Sequence, residues 1–269
     1  MQVPCKQGRI GLILKDDSRL EAGRVLEAMK QNAKRIAEQD REVPSLATLA
    51  RDRRPLLANV VADRIREAII FGELTLGQSV SEDRLATTLG VSRTPVREAL
   101  TALQLQGLVE IEPQRGSFVF QPTAQDVEEL CAFRSLLELD ALRLAYTNER
   151  EKTLHMLRGL EADMEAAEKA GNNRAAARAD AAFHEAFFAN CGNRFLVQSY
   201  TMISGQIGAM RYFARESQKS RRRPSTEHRA IIKALTNGDL AAAASILKAH
   251  IAEMPNRFRE SAQAQATIK

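Results

Sequence analysis

Residues 77–116 read GQSVSEDRLATTLGVSRTPVREALTALQLQGLVEIEPQRG, and the spacing of their apolar positions sets out two helices and a hairpin. Ser81 stands as N-cap of a helix whose apolar face is Leu85, Ala86 and Leu89, and Gly90 stops it. The tight turn Gly90-Val91-Ser92 leads into a second helix, from about Arg93 to Gln106. Val96, Leu100 and Leu103 recur there at i, i+4, i+7 as an inward stripe, and Arg93, Arg97, Thr101 and Gln104 fall towards the other side. Gly107 closes this helix. Leu108–Glu112 and Ser117–Gln121 then read as short strands joined by Pro113-Gln114-Arg115-Gly116. Val109 and Ile111 alternate with Glu110 and Glu112, the period of a half-buried strand.

Upstream, Val61, Ile65, Ala68 and Ile69 make the buried stripe of a helix from about Ala58 to Phe71, ended by Gly72. Three helices followed by a hairpin predict a winged helix-turn-helix, an α+β unit. From about residue 125 the pattern is helical almost to the end. The expected helices are 125–147, 150–170, 173–190, 193–215, 225–236 and 240–253, broken at Gly171-Asn172-Asn173, Cys191-Gly192-Asn193, 216–224 and Asn237-Gly238-Asp239. The fold class is thus a winged helix-turn-helix joined to an all-α bundle.

The third helix carries the chemistry of the first unit. Ser92 is a candidate cap, and Pro95 falls in the first turn, where a missing N–H costs little. Free amide donors, the positive end of a helix dipole and two arginines gather at one end, which suits phosphate oxygens and guanine edges. At the hairpin tip, Arg115 can enter a minor groove or lie against a phosphate. Arg51, Arg53 and Arg54 add candidate phosphate contacts. Against this, residues 51–120 hold nine Lys/Arg and nine Asp/Glu, so bulk charge does not argue for nucleic acid. The same arginines could pair with Glu98 on a plain surface, and such units also bind proteins.

Four histidines stand at positions 155, 184, 228 and 250. Asp180 and His184 are i, i+4 and project from one helical face. His228 lies ten residues before Gly238 and His250 twelve after it. At about 1.5 Å per residue both sit roughly 15–18 Å from the turn, level with each other if the helices are antiparallel. Three imidazoles and a carboxylate suit a divalent metal, with zinc first and nickel or manganese as alternatives. The plain reading of each is a packing histidine with one hydrogen bond, and of Asp180 a partner for Arg174, Arg178 or solvent.

The stretch 77–116, and above all VSRTPVREAL at 91–100, closely resembles the GntR family of transcriptional regulators. That resemblance implies dimers on palindromic operators, with Ser92, Arg93, Thr94 and Arg97 facing the major groove and Gly116 as the wing-tip glycine. Some relatives place an arginine in the second helix where this chain reads Asp83-Arg84-Leu85. Asp83 cannot bind phosphate, and Arg84 is the nearest substitute. The segments DAAFHEAF (180–187) and EHRAIIKALTNGDLAAAASILKAHI (227–251) resemble the FCD effector domain of the FadR-type branch. That implies a metal on Asp180, His184, His228 and His250 that receives a carboxylate ligand. It also implies Arg134 as the carboxylate-facing residue, with a salt bridge to Glu138 as the plainer role, and Asn193 as a turn-shaping residue.

The rest of the composition sets limits. The chain of 269 residues is 44% hydrophobic with formal charge +5, and its odd set of three cysteines, Cys5, Cys131 and Cys191, reads as free thiols in a reducing compartment. The apolar run Ile10–Leu14 is too short for a signal peptide, and no stretch approaches a membrane span. The expected organisation is an extension (1–55, one helix or a disordered arm), a DNA-binding unit (56–122), a helical ligand-binding unit (123–257) and a frayed tail (258–269). The run KSRRR at 219–223 reads as a solvated loop. The expected function is a cytoplasmic, homodimeric regulator, more often repressor than activator, that binds operator DNA and senses a small organic acid. A metalloenzyme using the Asp/His cluster and a constitutive DNA-binding protein with a structural metal are the alternatives.

Overall fold

The computed structural model describes residues 57–217 and 224–268; the extension with Arg51, Arg53 and Arg54, and the basic run 219–223, lie outside them. The head is built from α1 (Leu57–Ile70), β1 (Ser79–Val80), α2 (Glu82–Leu89), α3 (Arg93–Leu105), β2 (Val109–Glu112) and β3 (Gly116–Val119). Then follow α4 (Ala124–Asn148), α5 (Arg150–Lys169), α6 (Asn173–Asn190), α7 (Arg194–Ser217), α8 (Pro224–Thr236), α9 (Leu240–Ala252) and α10 (Met254–Ile268). This is an N-terminal helical head with a three-stranded wing, followed by an all-helical bundle.

The head closes on the stripes read from the sequence. Val61, Ile65 and Ile69 of α1 pack with Val96, Leu100 and Leu103 of α3, all buried. Each fully buried side chain of this size contributes about 1.5–3 kcal/mol. Ser81 caps α2 by accepting the Arg84 N–H. Gly90 ends α2 at φ +67°, a left-handed position where a side chain would be strained, and its N–H satisfies the last carbonyls of the helix. The strands run antiparallel in the order β1-β3-β2, with Val80 opposite Ser117 and Val109 opposite Val119. The two-residue strand β1 was not expected from the sequence. Neither was the exposure of Ile111, which breaks the alternation because β2 leaves the head towards the wing tip.

A capping box opens α4: Asp126 N–H donates to the Thr123 hydroxyl, and Thr123 N–H donates to the Asp126 carboxylate. Asn193 accepts the N–H groups of Phe195 and Leu196 and so starts α7, the turn-shaping role expected of it. The expected frayed tail is instead α10. Phe258 and Ser261 are buried against α7, with the Phe213 and Phe258 rings 4.9 Å apart and the Ser261 hydroxyl donating to the Ala214 carbonyl. Docking on a neighbouring helix supplies the stability that local propensity lacks.

The head also packs on the bundle through α6 and α7. Gly205 lets Leu108 approach so closely that a Cβ there would lie 2.7 Å from it, and the Gln206 amide donates to the Gly107 carbonyl. The Phe71 ring, just past α1, lies under the guanidiniums of Arg174 and Arg178 and edge-on to Tyr212. The same arginines pair with Glu73 and Glu67.

Candidate functional site

Ser92, Arg93, Thr94 and Arg97 all stand exposed at the start of α3. Ser92 occupies the N-cap position, but its side chain makes no capping bond, so its hydroxyl stays free along with the first-turn amides. Arg97 donates through Nε and NH2 to the Glu82 carboxylate at 2.9–3.3 Å, and Arg93 pairs with Asp83. At the wing, Arg115 pairs with Glu112 and Gly116 takes φ +108°. Arg84 is exposed beside a groove between α1, β1 and α2. Arg93, Arg97 and Arg115 are thus each paired with an acid, Asp83, Glu82 and Glu112, in keeping with the neutral balance of this region.

The second constellation lies inside the bundle. Asp180 and His184 of α6, His228 of α8 and His250 of α9 are all buried, and their ligand atoms lie within 4.8 Å of one another. The His228 ring is 5.0 Å from His250 and 5.1 Å from His184, so the level arrangement about Gly238 is realised. Phe183 stacks on His228 at 3.9 Å. His155 is exposed on α5. The donor set fits a divalent cation. Neither nitrogen of the fully buried His228 has a hydrogen-bond partner, a costly arrangement for an imidazole that nothing else engages.

Glu138, expected only as a partner of Arg134, and Glu227 and Arg211, which the sequence did not single out, complete the surroundings. Glu138 accepts from His184 Nδ1 at 2.7 Å, and Glu227 accepts from His250 Nδ1 at 2.7 Å. A ring that donates its Nδ1–H to a carboxylate keeps Nε2 as the lone-pair donor, the support a metal-binding imidazole ordinarily has. Arg211 of α7 reaches Asp180 at 3.3 Å. Arg134 is buried, with Nε bonded to Glu138 at 2.6 Å and NH2 3.2–3.3 Å from the His184 ring. Glu138 had a signal: Val127, Cys131, Arg134, Glu138, Ala141 and Ala145 form one buried stripe of α4, and two charges on it need internal partners. Glu227 and Arg211 carry no such local mark.

Burial, then the charges of Arg211 and Arg134, holds His184 well below its ordinary range. Burial also brings His228 down to about 3, although Asp180 opposes the shift. For Asp180 burial favours the neutral form, but Arg211 and the histidines hold the carboxyl below the usual carboxylate range. For Glu227, burial is likewise outweighed by hydrogen bonds from His250 and Arg257, which leave it at about 2. The unfolded chain takes up protons on His184 and His228 near their ordinary 6.5, and the folded chain does so only far lower. Stability of the metal-free protein will therefore fall as pH drops from 6.5 towards 3, by up to about 1.4 kcal/mol per pH unit for each ring. Above that window these two rings add no pH dependence. Denaturant unfolding of chelator-treated protein at about pH 7 and about pH 5 checks this, and equal midpoints would refute it.

The model described as "Bacterial regulatory proteins, gntR family" matches residues 57–119, and the FCD domain matches 129–253. The "Probable D-xylose utilization operon transcriptional repressor" of Paenarthrobacter nicotinovorans is 35% identical over 207 residues, 77% of this chain and 90% of its own. The chain belongs to the gntR family. The "Nta operon transcriptional regulator" of Aminobacter aminovorans is 30% identical over 65% of this chain and 81% of its own. The structure of E. coli McbR/YncC shares the fold, with TM-score 0.67 at 23% identity, over 78% of this chain and 98% of that one. This gntR-family chain is thus a DNA-binding regulator with a ligand-binding helical domain. The family is non-catalytic, which overturns the metalloenzyme alternative: the Asp/His cluster belongs to an effector domain. Among the described residues, no helix is long and apolar enough to cross a membrane.

Proposed function

We propose that this gntR-family protein is a cytoplasmic, metal-dependent sensor of a small organic acid, of the FadR-type branch, that represses catabolic or transport genes. It binds a palindromic operator as a homodimer, with Ser92, Arg93, Thr94 and Arg97 in the major groove. Arg115 and Gly116 meet the minor groove, and Arg84 contacts the backbone. Asp180, His184, His228 and His250 hold the metal, with zinc first and nickel or manganese as alternatives. When bound, the cation supplies a Lewis-acidic centre for the oxygens of the acid.

The observation that carries the sensing half is the buried His228, whose two nitrogens find no partner in the chain while Glu138 and Glu227 orient the neighbouring rings. Exposed Phe133 and Leu136 on α4 and Phe195 and Met202 on α7 support self-association. The relative named as a repressor supports that sign of regulation. An acid regulates only if it binds one placement of the heads better than another. Since α6 and α7 carry Asp180, His184 and Arg211 and also touch the head, both bodies share two helices.

A mobility-shift titration on DNA flanking the gene, with zinc or chelator and a panel of small carboxylates, tests the reading. Retardation that an acid relieves only in the zinc-loaded protein supports it. Retardation indifferent to zinc and acid would favour a constitutive regulator with a structural metal, which the closed, four-donor cluster also fits. No retardation at any protein concentration would sink the operator assignment.

A further inference from the structure

Two of the four candidate ligands are supported in the same way. The His184 ring donates Nδ1–H to Glu138, which Arg134 holds at 2.6 Å. The His250 ring donates Nδ1–H to Glu227, and NH2 of Arg257 donates to both oxygens of that carboxylate at 3.1 and 3.2 Å. Each is a relay of arginine, glutamate and histidine that keeps Nε2 as the lone-pair nitrogen.

The two relays differ in what holds them together. Arg134 and Glu138 are one turn apart on α4, with side chains 2% and 0% exposed, so the first is set as soon as α4 packs. In the second, each member comes from a different helix: Glu227 from α8, His250 from α9 and Arg257 from α10. Here Arg257 and Glu227 are 17% and 20% exposed. A glutamate with a fifth of its side chain in solvent has several rotamers open to it, and fixing the one that meets His250 costs entropy. Arg257 supplies that constraint. Glu227 is also the neighbour of His228 in the chain, so it joins the two ligand-bearing helices α8 and α9.

The placement of α10 is set by contacts away from this carboxylate. Pro255 has no N–H to give and crowds the carbonyl four residues back, so α9 ends at Ala252 and the chain turns at Glu253 into α10. Phe258 and Ser261 then seat α10 on α7, and Arg259 meets Glu128 of α4. The FCD match stops at residue 253, before Arg257. The helix beyond the matched domain thus reaches the cluster through Arg257.

We propose that Arg257 is a positioning residue for the metal centre, and that through Glu227 and His250 the docking of α10 and the loading of the metal favour each other. This rests on the metal binding proposed above. Linkage makes the effect reciprocal: whatever docked α10 adds to metal affinity, the metal adds to the docking of α10.

The test uses the full-length protein, with zinc affinity read by competition against a chromophoric chelator and backbone hydrogen exchange followed by peptide with and without zinc. Arg257→Met should bind zinc about 10–100-fold more weakly, the usual loss when the outer partner of a metal ligand is removed. Arg257→Lys should restore most of it, because a single nitrogen makes both contacts and an ammonium can take its place. Arg259→Met breaks a surface pair of the same helix and should leave zinc affinity unchanged, which separates positioning from docking alone. Zinc should slow exchange in α10 of the wild type but not of Arg257→Met, and should slow it in α6 of both. Wild-type zinc affinity in Arg257→Met overturns the proposal, as does an equal loss in Arg259→Met. If Arg257→Met does not fold, wild-type α10 decides, and exchange there that ignores zinc overturns the coupling. A wild type that binds none of zinc, nickel and manganese overturns the metal reading itself, so the two failures are distinct.

Discussion

Replacing His228 by alanine will leave the purified protein nearly free of metal. The ring offers two nitrogens that nothing in the chain engages, and Asp180 stands 3.6 Å from one of them. Removing it takes away one of four donors, a larger loss than removing a supporting residue, which alone costs about 10–100-fold in metal affinity. A drop of more than about 100-fold is therefore expected, and elemental analysis after gel filtration in chelator-free buffer reads it. Folding should survive: the substitution leaves a cavity beside Phe183, but it also removes two unsatisfied polar atoms, and the terms oppose each other. Zinc should raise the melting temperature of the wild type and leave that of the variant unmoved, because a ligand stabilises only the state that binds it. Full metal occupancy in His228→Ala would remove the cluster from the account.

Arg97→Ala will abolish most operator discrimination while leaving the protein folded. The side chain is exposed on α3, and the free protein gives up only a solvent-screened ion pair with Glu82, which contributes little to stability. On DNA the effect is larger, since a bidentate arginine–guanine contact carries about 1–3 kcal/mol of discrimination at each site. Two half-sites of a dimer bring this to about 2–6 kcal/mol, or roughly 30-fold and upwards. Arg115→Ala should act differently, weakening binding to all sequences and lowering the salt slope. Fluorescence anisotropy with operator and scrambled duplexes at one fixed salt concentration separates the two. If Arg97→Ala binds operator as tightly as wild type, α3 is not the reading helix. In the proposed complex Arg97 would give up Glu82 and Arg93 would give up Asp83 on meeting DNA, an exchange that lowers non-specific affinity.

Local spacing alone determined much of this protein. Val96, Leu100 and Leu103 placed α3, the glycines at 90, 107 and 238 placed breaks, and equal distance from Gly238 put His228 and His250 level. These are properties of one helix or one turn, set by backbone geometry within a few residues. The alternation at Val109 and Ile111 misled because strand period does not say how far a core extends. The tail misled because α10 exists by virtue of packing on α7.

Only the tertiary structure decided what surrounds the four donors. Glu138 could be suspected from its stripe on α4, but the approach of Arg211 to Asp180 and of Glu227 to His250 joins helices across the bundle. The i,i+4 pairing of Arg134 with Glu138 was legible in the sequence, but that both charges are buried, and that NH2 of Arg134 lies against the His184 ring, was not. The reason is physical. A charge in a helix carries no local mark of whether it will meet water or a buried partner, because its cost depends on the dielectric that the other helices create around it.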